Sequence, residues 1–198
     1  MTAEQDRSPA PTLSFARELP LTRRAIDFAE EHHGRQRRAG DGAPYLVHPL
    51  EVASYLERAG YPDSAVAAAV LHDVLEDTDV DRSDLESVFG PEVSDLVAVV
   101  SDDPAIDDVE LRKDEVRERV RIAGGYALAV FGADKVSKVR ELRMQLAQGL
   151  DPAEAEVKLR RHRKALAMLE QEAPGNRIGD LLRFELEALE ALPPRPSS

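Results

Sequence analysis

The stretch Ala67-Ala68-Ala69-Val70-Leu71-His72-Asp73-Val74-Leu75-Glu76-Asp77-Thr78 constrains this chain more than any other, because an apolar run passes without a break into a histidine and three acids. Wound as one helix, it enters as a buried segment and leaves as a charged one, so its C-terminal half must line something other than bulk core. Glu76 then lies one turn from His72 and Asp73, and Asp77 one turn from Asp73. Acids crowded on one turn repel by roughly a few tenths of a kcal/mol per exposed pair, at the helix end where the macrodipole disfavours them. A bound divalent cation removes that cost, and a solvated helix end tolerates it. Spacing alone leaves both readings open.

The rest of the chain is built to surround such a segment with helices. Ala, Leu, Val, Glu and Arg dominate, Trp is absent and aromatic residues make up only 5 %, which is a helical palette and not that of a sheet. The expectation is an all-α fold, and 198 residues suit one domain with a sizeable core. A formal charge of -12 opposes binding to a nucleic acid polymer or an anionic membrane, so a phosphorylated ligand must be met by cations gathered locally. With no cysteine, any metal has to be held by histidine and carboxylate. Met1 to Pro20 lacks the pattern of a signal peptide, and no apolar run is long enough to span a bilayer; the reading is cytoplasmic.

Pro9, Pro11 and Pro20 among small polar residues mark 1–20 as a flexible lead-in. Helices are expected over Leu21–His33, with Thr22 as N-cap, and over Pro49–Ala59, ended by Gly60. Between them runs a long loop carrying Arg35, Arg37, Arg38 and three glycines, of a size that tends to be functional. The central helix starts at Asp63 or Ser64 and leaves at Thr78-Asp79. Ser83-Asp84-Leu85-Glu86 reads as a capping box opening a short helix to Phe89-Gly90. Further helices follow over Pro91–Val100, Val109–Arg121, Tyr126–Gln148, Pro152–Glu172 and Arg177–Leu192, which makes 21–192 the folded domain and 193–198 a disordered tail. His162 lies within Arg160-Arg161-His162-Arg163-Lys164, where basic neighbours repel a cation, and is assigned to a solvated face.

Several motifs in order carry a more specific signal. His33 with Gln36-Arg37-Arg38, then Pro44-Tyr45, His48-Pro49-Leu50, Leu71 to Thr78, Phe89-Gly90 and Ala133-Asp134 together resemble the HD-domain hydrolases of the RelA/SpoT-homologue family, most of all the stand-alone small alarmone hydrolases. The resemblance covers roughly Ala25 to Leu142. It implies an HD-domain helical bundle holding one Mn²⁺ on His33, His72, Asp73 and Asp134, with His32 as the competing first-helix residue. It also implies that Glu76 and Asp77 position and deprotonate the attacking water, and that His48 lies near the site without being a ligand.

The implied reaction is Mn-dependent hydrolysis of the 3′-pyrophosphate of ppGpp or pppGpp, yielding GDP or GTP and pyrophosphate. Arg35, Arg37, Arg38, Tyr45, His48, Lys135 and Lys138 are the expected substrate contacts, and a small phosphorylated nucleotide is the expected partner. Oligomeric state is left open, a homodimer included. Where the family continues Ala-Asp-Arg-Leu-His-Asn, this chain has Ala133-Asp134-Lys135-Val136-Ser137-Lys138, and Phe131-Gly132 stands where Lys-Leu is usual. These departures fall on the substrate side. They keep two alternatives in view: a phosphohydrolase of another nucleotide such as NADPH, and a nucleotide-sensing module without turnover.

Overall fold

Seven consecutive residues, Ala65 to Leu71, are fully excluded from solvent, and the structure is arranged around them. The computed structural model describes residues 11–38 and 42–191, and among these it contains ten α-helices and no strand, only an isolated bridge between Arg37 and Pro44. The helices are α1 (Pro20–His33), α2 (Val47–Ala59), α3 (Asp63–Leu71), α4 (Val74–Asp77), α5 (Arg82–Phe89) and α6 (Pro91–Val100). They continue as α7 (Val109–Ala123), α8 (Gly125–Gln148), α9 (Pro152–Glu172) and α10 (Arg177–Glu190). The all-α expectation holds.

Because α3 is apolar on every side and rich in alanine, neighbours can approach it closely all round. It packs against α1, α2, α6 and α8. The long helix α8 then joins this group to α9 and α10. At Gly132 an added Cβ would stand 2.9 Å from both Ile178 and Leu169 side chains, so the glycine is what lets α8 seat against α9 and α10. Among the described residues no helix is long and apolar enough to cross a membrane.

Four local expectations are corrected. The central helix is not continuous: α3 ends at Leu71, His72-Asp73 form a turn, and α4 resumes at Val74. The Glu76 amide reaches back only three residues, to the Asp73 carbonyl (3.1 Å), while the His72 carbonyl accepts from Ser101 Oγ (3.3 Å). The ladder thus tightens for one turn, and the two site residues are set off from the helix axis. Thr22 does not cap α1. Instead the Asp63 carboxylate, from α3, accepts from the Leu21 amide (2.9 Å), the Thr22 amide (2.8 Å) and the Thr22 hydroxyl (2.6 Å), capping α1 from outside. The capping box of α5 is formed by Asp81 and Asp84, two residues before the expected pair. Within the expected lead-in, Pro11–Ala16 forms a 3-10 helix whose Ala16 is buried against the core. Residues 1–10 of that lead-in and the expected tail at 193–198 lie outside the described residues.

Candidate metal centre and its cavity

Four chain segments meet at one end of α3: the start of α2 with His48, the α3–α4 turn with His72 and Asp73, α4 with Glu76 and Asp77, and the middle of α8 with Asp134. His48 Nε2 lies 3.2 Å from Asp134 Oδ1 and 3.5 Å from Asp73 Oδ2. His72 Nε2 lies 3.2 Å from Asp73 Oδ1 and 3.6 Å from Asp134 Oδ1. All four side chains are buried. One ligand atom each from His48, His72 and Asp134 falls within 4.8 Å of the others, close enough for one cation to touch all three.

The protonation pattern suits a cation. His72 Nδ1 lies 2.8 Å from the Ala69 carbonyl, which can only accept, so a ring proton sits on Nδ1, and in the neutral ring Nε2 is the atom with the free lone pair. His33 Nε2, His48 Nε2, His72 Nε2 and Asp134 Oδ1 are all buried, and none has a hydrogen-bond partner. Buried acceptors left facing one another are costly, and a shared divalent ion is the group that would satisfy them together. Imidazole and carboxylate together are a donor set for a first-row divalent metal. The residues present therefore fit one.

His33 is buried, and its Nε2 has no hydrogen-bond partner. Its Nδ1 lies 2.9 Å from Gln36 Oε1 and its ring stacks on Tyr45 with centroids 4.7 Å apart, whereas the clustered imidazoles are those of His48 and His72. His33 is the last residue of α1, while α2 packs on α8 and brings His48 to Asp134. His32, the competing first-helix residue, packs on Phe28 and is exposed. Tyr45 donates to Asp73 Oδ2 (2.7 Å) and lies against Asp77 Oδ2, so it buttresses the acids. Burial and the Asp73 charge push its phenol well above the usual range.

Glu76 opens into a cavity of about 230 Å³ that begins at the clustered acids. Its Oε1 accepts from the Asp102 amide at 2.8 Å. The residue is exposed overall, yet its carboxyl sits at the cavity mouth; that partial desolvation, followed by the charge of Asp73, raises its pKa above the ordinary value. Asp134 is held well below the usual carboxylate range: burial opposes this, but Lys135 Nζ at 2.6 Å and Lys138 Nζ at 3.2 Å outweigh it. Lys135 also lies over the Phe131 ring, 4.4 Å from its centroid.

The opposite wall of the cavity was not legible as a site. Lys113 and Arg117 of α7, with Lys158, Arg161 and His162 of α9, face the metal cluster across it. The spacing that could have shown this is helical: Lys113 and Arg117, like Lys158 and His162, are four residues apart and share a face. Of the loop cations, Arg38 pairs with Glu141 at 3.6 Å, and Arg35 and Arg37 are exposed and do not line this cavity. His162 corrects the solvated-face assignment, being buried with its Nδ1 lacking a hydrogen-bond partner. Burial, then the Lys135 charge, pushes its pKa down to about 3. Between that value and the unfolded value of about 6.5 only the unfolded chain binds this proton, so stability must fall as pH falls through the window, by at most about 1.4 kcal/mol per pH unit. His162→Gln is expected to flatten that part of the denaturation midpoint against pH between 7 and 4. An unchanged slope would mean that His162 is protonated in the folded state.

Known proteins are similar to this chain in sequence and in fold. A family model described as the HD domain matches residues 25–124. The chain is 39 % identical over 121 residues to guanosine-3′,5′-bis(diphosphate) 3′-pyrophosphohydrolase MESH1 of Mus musculus, covering 60 % of this chain and 67 % of that protein. It is 38 % identical over 128 residues to the Homo sapiens protein of the same name, covering 63 % and 71 %. Among solved structures, a metazoan orthologue of SpoT that hydrolyses ppGpp and plays a role in starvation responses superposes with a TM-score of 0.74 at 28 % identity, over 86 % of this chain and 93 % of that one. A Listeria monocytogenes protein superposes at a TM-score of 0.65 and 27 % identity, over 75 % and 98 %.

Proposed function

The chain belongs to the HD-domain family, and from that premise we propose that it removes the 3′-pyrophosphate of ppGpp and pppGpp at a Mn²⁺ centre. The observation that carries the reading is the set of buried, partnerless atoms of His33, His48, His72 and Asp134, beside a cavity whose other wall is cationic. His48, His72, Asp73 and Asp134 are the proposed ligands, with His33 as the competing imidazole. The catalytic unit is the single domain of 21–192, and a cytoplasmic setting matches a soluble nucleotide substrate. When bound, the ion supplies two effects, lowering the pKa of a coordinated water and polarising a phosphoryl oxygen.

The chain's own groups do the rest. With Oε1 fixed by the Asp102 amide, Glu76 presents its other carboxylate oxygen to take the proton of the attacking water. Asp77, held against Tyr45, orients the same water, and its carbonyl accepts from Gln36 Nε2 at 2.6 Å, which ties the loop to α4. Lys113, Lys158 and Arg161 receive the polyphosphate, with Lys135 and Lys138 nearer the reacting phosphorus. These cations concentrate positive charge locally on a chain of net charge -12.

The Mn²⁺-loaded protein is expected to release pyrophosphate from ppGpp in a panel that includes pppGpp and NADPH. Replacing Lys158 and Arg161 together by alanine is expected to raise KM by about tenfold for each charge removed, with a smaller change in kcat. Cleavage of NADPH with ppGpp untouched would give the site to the other nucleotide class, the outcome favoured if Lys138, paired with Asp134, displaces the ppGpp ribose.

A further inference from the structure

Glu76 stands on α4, a helix of only four residues, and the hydrogen bond that fixes its carboxylate comes from elsewhere: the backbone amide of Asp102, 2.8 Å from Oε1, in the loop between α6 and α7. A glutamate side chain left to itself samples many rotamers. A donor on a fixed backbone orders it before the reaction, which is what a group that must meet one water at one place requires.

The amide serves only if its loop is held, and three side chains of α7 hold it. Arg119 donates to the Ala98 carbonyl (2.9 Å) and to the Ser101 carbonyl (2.5 Å), closing the end of α6. Buried Ser101 turns its hydroxyl to the Val97 carbonyl at 2.8 Å and reaches the His72 carbonyl at 3.3 Å, so the loop also touches the turn between α3 and α4. Asp102 Oδ2 then accepts from Lys113 Nζ at 2.6 Å and lies 3.2 Å from Arg112 Nε, while Arg112 Nη1 donates to the Ile106 carbonyl at 2.8 Å. Arg112 and Arg119 are seven residues apart, two turns of α7, and so share the face that meets the loop. Of the two cations on Asp102, Lys113 lines the cavity and Arg112 does not.

We propose that Asp102 is the positioning residue of the base: its amide fixes Glu76, and its carboxylate, tied to Arg112 and Lys113, holds that amide in place. This rests on the reading of Glu76 as the base. Through Lys113 the same carboxylate joins the polyphosphate wall of the cavity to the group that takes the proton of water, and Arg112 keeps the loop closed from outside the cavity.

The test is steady-state hydrolysis of ppGpp by the Mn²⁺-loaded full chain, for wild type, Asp102→Pro, Asp102→Asn, Arg112→Ala and Glu76→Gln, read beside the Asp102 amide in ¹H–¹⁵N spectra of the metal-free protein. Asp102→Pro removes the donor itself, and Ser101, with ψ of 145°, already has the extended backbone that a residue before proline takes. Its kcat is expected to fall by about 10²-fold, the cost of a misplaced reacting group, with KM little changed. Asp102→Asn keeps the amide and an acceptor for both cations and is expected to recover most of that loss. Arg112→Ala is expected to lower kcat by roughly tenfold, again with KM little changed. Wild-type kcat in Asp102→Pro and Arg112→Ala with loss in Glu76→Gln overturns the positioning role and leaves the base. Wild-type kcat in Glu76→Gln overturns both. Should Asp102→Pro fail to fold, the spectra decide: an Asp102 amide proton that moves upfield in Glu76→Ala supports the contact, and an unmoved one overturns it.

Discussion

His48→Ala is expected to strip the protein of its metal and to abolish turnover, while His33→Ala keeps the metal. His48 Nε2 stands 3.2 Å from Asp134 and 3.5 Å from Asp73 with no other partner, so removing it leaves a buried gap in the first coordination shell. The loss of affinity should exceed the roughly 100-fold that an outer-shell change can bring. His33→Ala removes a ring stacked on Tyr45 and bonded to Gln36, whose buried, partnerless Nε2 is not one of the atoms gathered within 4.8 Å of one another. Metal content after gel filtration, read beside pyrophosphate release from ppGpp, separates the two. A metal-free His33→Ala beside a fully loaded His48→Ala would restore the ligand set implied by the sequence resemblance.

Glu76→Gln is expected to lower kcat by about 10²- to 10⁴-fold while the metal stays bound, the range for removing a general base. The pH dependence gives a second signature. A carboxyl whose pKa is raised by partial desolvation and by Asp73 becomes the active, ionised base only as pH climbs through that raised value. The acid limb of kcat/KM should therefore lie above the usual glutamate value of about 4.3, and the amide should remove it. The folding sign is opposite. With the folded pKa above the unfolded one, ionised Glu76 costs stability at neutral pH, a cost present above the folded pKa and absent below the unfolded one. The amide variant should thus melt no lower than wild type at pH 7, so that lost turnover cannot be assigned to unfolding. Full activity in a well-folded Glu76→Gln protein would move the base to another residue.

Both results depend on positions that were legible to different degrees. His72, Asp73, Glu76 and Asp77 could be found because polar residues interrupt an apolar run, and a buried helix has no other use for them. Asp134 was found only through its motif, since an acid after Phe131-Gly132-Ala133 has no periodic signal of its own. The choice of first histidine came only from the motif, because His32 and His33 are neighbours in sequence; the fold separates them by burying His33 and leaving His32 exposed. The cations of α7 and α9 were missed for a related reason. Each looks like the solvated face of an amphipathic helix until the two faces are found turned toward one cavity.

His162 makes the same point most sharply. Within a run of arginines and lysines its surroundings in sequence are solvent-like, yet it is buried, because α9 turns this one position inward while Arg160 and Arg163 stay in water. By itself the sequence determined the helices, their approximate ends, the apolar α3 and the presence of a His/Asp site, since periodicity, capping residues and the burial of alanine and valine act locally. Only the tertiary structure decided that α3 breaks at His72, that Asp63 caps α1, and that His48 stands beside Asp134. Those outcomes are set by contacts between residues tens of positions apart, whose distances are fixed by how the helices cross and not by any spacing along the chain.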